Sequence, residues 1–457
     1  MNARHALLCL TILAVCFAGA CKRETTAEDL QEARRLLVTG ETEGAIAIYK
    51  KVIDTHPESG EAHARLAEIY LNQGEMDLAK PHVDRAVEIA PQDPATNYVR
   101  GRYLLNQRLW VQAGQSLELA ADENIFNADY QFWLGVALAR MGKRDKAILV
   151  FQKVLNMKPE YPGAHRQLGH LYFTKSQFDR SMQEYEDALE DSPDDPEVLK
   201  QLALSYHYEQ FNDSALKTAN HLLEIVPDSA EGYNILGAVA FANQDVDTAQ
   251  KHFEKAISLD PNLLAAHINL GAIFNSRGEI GKSLAEYETA IRIDPDNIAV
   301  QKNLGDLYSS KGEISKALEH YRAYHAARPK DPFVAYLGAK MIAMSPEADP
   351  QEGHDMLDKL ERATGLDVAM NEIRFAIATK RTEPKGDRLD ALSATLPYLL
   401  DALAVRIVLY ERMGDLKSAE EVATAALLMN IDTSKKEAFK QRLAYYKRGE
   451  TPPSPFK

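Results

Sequence analysis

Side chains able to ligate a metal or attack a substrate are sparse in this sequence, and their spacing argues against a catalytic centre. All three cysteines, Cys9, Cys16 and Cys21, fall within the first 21 residues, so the rest of the chain carries no thiolate site and no intrachain disulfide. His63, His165 and His267 stand 102 residues apart, and equal spacing marks one packing position reused rather than three ligands gathered round an ion. His165 with His170, and His320 with His325, lie five apart, which does not share a helix face. There is no HExxH, phosphate loop, GxSxG or dinucleotide fingerprint. Beyond Asp331 the chain has one histidine, no cysteine and no glycine-rich loop. These residues predict a protein that is not an enzyme, with no cofactor and no metal.

The cysteines belong to targeting. Residues 1–20 have a short polar start with Arg4 and His5, an apolar run from Ala6 to Phe17 and then Ala18-Gly19-Ala20, the layout of an export signal. The run is too short to span a bilayer comfortably. Ala18-Gly19-Ala20-Cys21 resembles a bacterial lipobox, with Ala18 where Leu is commonest. That resemblance implies cleavage before Cys21, diacylglycerol on its thiol and an acylated new amino terminus; anchoring by more than one chain is stable. Lys22 follows where an Asp would suggest inner-membrane retention, so the expected location is the outer membrane, facing the periplasm. The same three small residues also read as a cleavage site that would leave a soluble periplasmic or secreted protein.

The elements past the leader follow from a strict period of 34, seen in Pro57, Pro91, Pro159, Pro193, Pro227, Pro261, Pro295 and Pro329, with Ile125 in the one missing slot. Ahead of each proline one pattern recurs, as in Leu168-Gly169, Tyr172, Ser181, Tyr185, Ala188 and Pro193. Apolar spacings of 3, 4, 7 and 8 put one buried face on each of two helices. Gly135 and Ala147 permit close approach of the pair. Gly74, Gly142, Gly278 and Gly312 mark the turn inside it, and the proline closes it. A lone pair cannot bury both faces, so the units must stack.

The pattern resembles the tetratricopeptide repeat. The resemblance implies an all-α fold, a solenoid of helix-turn-helix units winding as a right-handed superhelix with a concave groove. On this reading 1–20 is the signal peptide, 21–25 the lipid-anchor segment and 26–331 nine units. A divergent tenth unit follows over 332–365, with residues added to its turn at Ser345 to Pro350. An irregular helical segment is expected over 366–399, a repeat-like unit with a closing helix over 400–447, and a disordered tail over 448–457.

With 45% hydrophobic and 26% charged residues the chain is globular, and its 53 Lys and Arg against 67 Asp and Glu leave a net charge of −14 with no long basic block. Nucleic acid is therefore excluded as the main ligand. By the resemblance, function falls to the first-helix residues that face the groove. Units three to six offer Tyr98, Arg102, Phe132, Trp133, Arg140, Arg166, His170, Phe173, Lys200, His207 and Tyr208, an aromatic and basic set inside an acidic protein. The alternative is that Phe132, Trp133 and Tyr208 only fill space between helices. A secondary groove is expected at Asn269, Lys302 and Asn303, where two asparagines one repeat apart are similar to the ladders that hold an extended peptide by its backbone.

The expected role is a lipid-anchored periplasmic scaffold that binds extended peptides or other envelope proteins in assembly or secretion machinery. Two alternatives stand beside it. One is an accessory module of an envelope glycosyltransferase or peptidase; the other is a soluble periplasmic peptide- or carbohydrate-binding protein.

Overall fold

The computed structural model describes residues 26–329, 331–364, 370, 398–429 and 433–453. The leader, Cys21 and its anchor segment, nearly all of 366–399, and 454–457 lie outside the described residues. Among the described residues every regular element is a helix, and none is long and apolar enough to cross a membrane. The helix-turn-helix architecture read from the 34-residue period is the one observed.

The first compact unit, Met1–Val239, holds α1 (26–38), α2 (Thr42–Thr55), α3 (Gly60–Gln73), α4 (Met76–Ile89), α5 (Pro94–Asn106), α6 (Trp110–Glu123), α7 (Ala128–Arg140), α8 (Arg144–Met157), α9 (Ala164–Thr174), α10 (Phe178–Asp191), α11 (Pro196–Tyr208) and α12 (Asn212–Ile225). The helix α13 (Ala230–Ala242) lies across the boundary. The second unit, Ala240–Lys457, holds α14 (Val246–Leu259), α15 (Leu264–Ser276), α16 (Ile280–Ile293), α17 (Ile298–Ser310), α18 (Ile314–Ala327), α19 (Pro332–Met344), α20 (Pro350–Thr364), α21 (Leu399–Met413), α22 (Leu416–Leu427) and α23 (Thr433–Tyr446).

Local chemistry sets the bounds of each helix pair. Most first helices start at a polar cap, as where the Asp93 carboxylate accepts from Thr96 N, Asp195 from Val198 N and Asn297 from Val300 N; α9 and α15 start at Gly163 and Leu263 without one. Asp93 and Asp195 are each followed by a proline, whose fixed φ suits the first helical position. The turn inside each of the first nine pairs passes through one left-handed residue. Gly74, Gly142, Gly278 and Gly312 take it as the sequence predicts, at φ between 72° and 79°. The same slot also holds Arg108, Ser176, Gln210 and Gln244, at φ between 56° and 65°.

The closing proline does more than stop a helix. Its carbonyl accepts a side-chain hydrogen bond from the residue six positions on, from Asn97 to Pro91 at 3.1 Å and from Gln301 to Pro295 at 3.0 Å. His63 and His267 sit in this slot and contact Pro57 and Pro261 in the same way, at 3.3 and 3.0 Å. Where Ile125 replaces the proline, Gln131 donates instead to Ala121 O in the preceding helix.

Within a pair the core is a small residue facing a large one. A Cβ on Gly169 would lie 2.7 Å from the Tyr185 ring, and one on Gly135 would lie 2.8 Å from Phe151. Ser181 Oγ donates to Gly169 O across the same contact, and Ser283 Oγ to Gly271 O. Tyr185, Phe151, Tyr287 and Tyr321 are all fully buried. Each large ring thus requires its glycine.

The chain after α18 keeps the pairing with altered joints. Five residues, 345–349, connect α19 to α20 where two or three connect the regular pairs. Arg412 of α21 ties this loop down, donating to the carbonyls of Ile342, Pro346 and Ala348. Arg406, buried in the same helix, pairs with Asp358 at 2.8 Å and Glu361 at 3.0 Å on α20. Beyond α23 the described residues 447–453 fold back toward the closing helix. Pro452 is buried and Pro453 O accepts from Arg442, so the closing helix carries the start of the tail with it.

Candidate functional site

The first helices α5, α7, α9 and α11 of the third to sixth pairs carry the expected groove residues, and the structure divides them into two groups. Tyr98 and Arg102 are inside, 3% and 6% exposed. The Arg102 guanidinium donates to Tyr98 Oη at 3.2 Å and lies 4.4 Å from the Trp133 ring centroid. Phe132 meets Trp133 edge-on at 5.7 Å, Phe151 at 5.5 Å and Tyr161 at 4.9 Å. Tyr161 Oη in turn donates to Asp129 at 2.7 Å. Tyr98, Arg102, Phe132 and Trp133 therefore form an aromatic layer between adjacent pairs, and the first two offer no open surface. The sequence could not show this, because the same slot that buries Tyr98 leaves Arg166, two repeats on, in solvent.

The second group opens onto a cleft of about 350 Å³ between α7, α9 and α11. Arg140, Arg144, Arg166, Gln167, His170 and Gln201 line its walls, and Tyr185 and Glu197 also border it. Arg166, half-exposed, has a long contact to Asp195 at 3.5 Å. Arg140 and Arg144 have no ion-pair or hydrogen-bond partner for their side chains among the described residues. Their charge reaches His170: partial desolvation is the main cause of its lowered pKa, with Arg140 and Arg144 acting in the same direction and Glu197 opposing. Glu197 is itself neutralised by Lys200, at 2.6 Å, and bonded by Gln201 Nε2. Lys200 is thereby occupied, with Glu231 3.9 Å away as well.

Phe173 and Tyr208, at the carboxyl ends of α9 and α11, form a ring cluster with Phe178, the first residue of α10. Phe178 stacks on Tyr208 at 4.5 Å, and Phe173 meets Phe178 at 5.3 Å. Tyr208 remains 54% exposed, as does Phe211 after it. His207, half-buried beside Tyr208, has its pKa lowered by burial. Sequence reasoning missed Arg144, Tyr185 and Gln167. Arg144 begins a second helix, and Tyr185 occupies a packing slot that reads as core.

The secondary groove is less open than the sequence suggests. The Asn303 side chain is bonded to Tyr287, Lys302 Nζ donates to Asp306 at 2.7 Å, and Asn269 is also engaged. The recurring histidines pack as expected. His165 and His267 contact Glu184 and Glu286, each 19 residues on, at 2.8 and 2.7 Å. His165, Glu184 and Asp187 bring three ligand atoms within 4.8 Å. Since the matching His267 and Glu286 have Thr289 in the third place, the shared element is a hydrogen bond between helices and not a ligand set.

Comparison with known proteins gives this geometry a family. Profiles described as tetratricopeptide repeat match residues 26–102 and 138–204, 98–165 and 230–263, and one described as TPR repeat matches 271–312. The chain is 29% identical over 123 residues to a peroxisomal targeting signal receptor of Candida albicans, covering 25% of this chain and 21% of that one. It is 24% identical over 144 residues to the type IV pilus assembly protein PilF of Pseudomonas aeruginosa, covering 31% of this chain and 57% of that one. The chain thus spans less than two thirds of either relative. Among solved structures, a tetratricopeptide repeat protein from Parabacteroides merdae aligns with TM-score 0.48 and 16% identity over 54% of this chain and 97% of its own. Pseudomonas aeruginosa PilF aligns with TM-score 0.41 and 21% identity over 46% and 96%. Helix pairs repeating every 34 residues, joined through a left-handed turn and mostly closed by proline, match these profiles over 26–204, 230–263 and 271–312, more than half of the chain, and the chain is a tetratricopeptide repeat protein.

Proposed function

We propose that the chain is a non-enzymatic scaffold for protein–protein interaction, held by lipid at Cys21 on the periplasmic side of the outer membrane, and that it binds an extended segment of an envelope protein in the groove of α7, α9 and α11. The observation that carries the groove is the cleft itself, where two arginines without partners face solvent beside an exposed ring cluster. Arginine and aromatic side chains in a concave surface are the composition of a binding site. The lipobox-like Ala18-Gly19-Ala20-Cys21 supports the anchor. The local similarity to PilF, a type IV pilus assembly protein, supports a role in envelope assembly or secretion.

A photo-crosslinking residue at Gln167, in the cleft, and another at Leu149, exposed on α8, test the groove in intact cells. Adducts from Gln167 and none from Leu149 are expected. Equal yields from both positions would move the binding surface elsewhere.

A further inference from the structure

We propose that the cleft between α7, α9 and α11 recognises an acidic peptide segment. A carboxylate of the segment is held by Arg140, Arg144 and Arg166 and by the Tyr185 hydroxyl, and a neighbouring apolar side chain lies on the rings of Phe173, Phe178 and Tyr208. The inference rests on the groove reading above and names the chemistry of its occupant.

The first support is charge. The chain carries −14 overall, and about half of the arginines among the described residues are in ion pairs, for example Arg34 with Glu61, Arg85 with Glu88 and Arg322 with Glu352. Arg140 and Arg144, both without an ion pair among the described residues, line the same cleft as Arg166, which is held only loosely by Asp195. The one acidic side chain lining the cleft, Glu197, is already paired with Lys200. A planar guanidinium takes a carboxylate through two parallel hydrogen bonds, and several together in a partly desolvated cleft select an anion over a neutral group.

The second support is independent of charge. Tyr185 is 1% exposed, borders the cleft, and its hydroxyl has no hydrogen-bond partner. The repeat supplies its own comparison. Tyr287 occupies the same slot three repeats on and is bonded by Asn303, 16 residues later; Tyr321, one further, donates to Asp306, 15 residues earlier. Around Tyr185 those two places hold Gln201, which is spent on Glu197, and His170. Burial holds the Tyr185 phenol protonated, so a donor is left at the cleft where Tyr287 and Tyr321 have satisfied theirs; Tyr49, in the same slot four repeats earlier, is likewise unbonded but does not line this cleft.

The third support points to a peptide rather than a polyanion. Thr174 lines the cleft and its chain neighbour Phe173 belongs to the ring cluster, so an anion site adjoins an apolar one. A carboxylate followed within a residue or two by an apolar side chain is a feature of polypeptide. The Gln167 amide, with no hydrogen-bond partner for its side chain, can both donate to and accept from the backbone between them.

The test uses the purified protein and a fluorescein-labelled decapeptide containing Glu-Glu-Phe between Gly and Ser residues, with Gln-Gln-Phe and Glu-Glu-Ala counterparts and polygalacturonate as a non-peptide anion. The Glu-Glu-Phe peptide should bind about tenfold or more tightly than its Gln-Gln counterpart. That advantage should vanish in the Arg140→Ala, Arg144→Ala double variant. Tyr185→Phe, which removes only an unbonded hydroxyl, should weaken the same peptide roughly threefold to tenfold with an unchanged melting temperature. Equal binding of the Glu and Gln peptides overturns the inference yet leaves the groove reading standing. Binding of polygalacturonate as tight as that of the peptide, with no penalty for Phe→Ala in the peptide, overturns it in favour of an acidic polysaccharide. Absence of binding by every probe also overturns it, and crosslinking at Gln167 then decides the groove separately.

Discussion

Gln210 and Gln244 hold a backbone conformation that costs an L-residue roughly 1 kcal/mol or more, in a slot where five other turns use glycine. Replacing Gln210 by Gly should therefore stabilise the protein by about 0.5–1 kcal/mol, the relief of strain outweighing the extra freedom of the unfolded chain. A urea midpoint at or below that of the parent would show that the glutamine side chain contributes something the turn geometry does not reveal. Trp133 lies at the same scale but on the other side of the balance. Its ring covers the buried Arg102 guanidinium at 4.4 Å, so Trp133→Ala should cost about 2–3 kcal/mol of stability by exposing that layer. Retained stability together with lost partner binding would return Trp133 to the groove. The sequence identifies Trp133 and Arg166 as equivalent candidates because both are large residues on the same stretch of a first helix. Which of them packs and which is open depends on the residues around it, here Phe132 beside Trp133 and Arg102 of the preceding pair, and that is a property of the stack.

At the scale of the helix, the Leu-Gly signature has a direct structural meaning. Gly169→Leu places atoms where the Tyr185 ring already stands 2.7 Å from the first of them, and should cost on the order of 3 kcal/mol. Lys311→Ala in a turn removes only an exposed contact to Glu313 and should cost less than about 0.5 kcal/mol. Equal urea midpoints for the two variants would contradict the helix-pair register. Helix α20 introduces a pH dependence. His354 is buried against Tyr410 at 4.2 Å, and desolvation, with Arg406 acting in the same direction, lowers its pKa to about 4. The native imidazole thus stays neutral while that of the unfolded chain takes a proton near pH 6.5, so stability is full above that pH and falls as pH drops toward 4. His82, also near 4 and facing His63 and Lys50, adds to the same loss. Denaturation midpoints at pH 7 and pH 4.5 should differ less for His354→Gln than for the parent; an unchanged difference would place the acid sensitivity elsewhere.

For the molecule as a whole, the period of 34 made the helix pairs legible because each pair repeats one solution to one packing problem. The orphan hydroxyl of Tyr185 was not legible, since it emerges only when its surroundings are compared with those of Tyr287 and Tyr321. The Asn269 and Asn303 pair was misleading for the same reason, as an amide that looks free in sequence is engaged in the fold. On the proposed function, targeting rests on the leader and Cys21. Cys21→Ser should shift the protein from the membrane pellet to the soluble periplasmic fraction, and continued sedimentation with membranes would contradict the lipid anchor. The recurring left-handed joint has a further consequence for the history of such a chain. Residues 40, 74, 108, 142, 176, 210, 244, 278 and 312 share one backbone conformation at a constant interval, so a segment cut from any one of them to the next begins and ends with the same geometry. Excision or duplication of such a segment reseals into an ordinary turn. Length is therefore a quantity that recombination can change in whole steps while every junction remains one the fold already contains.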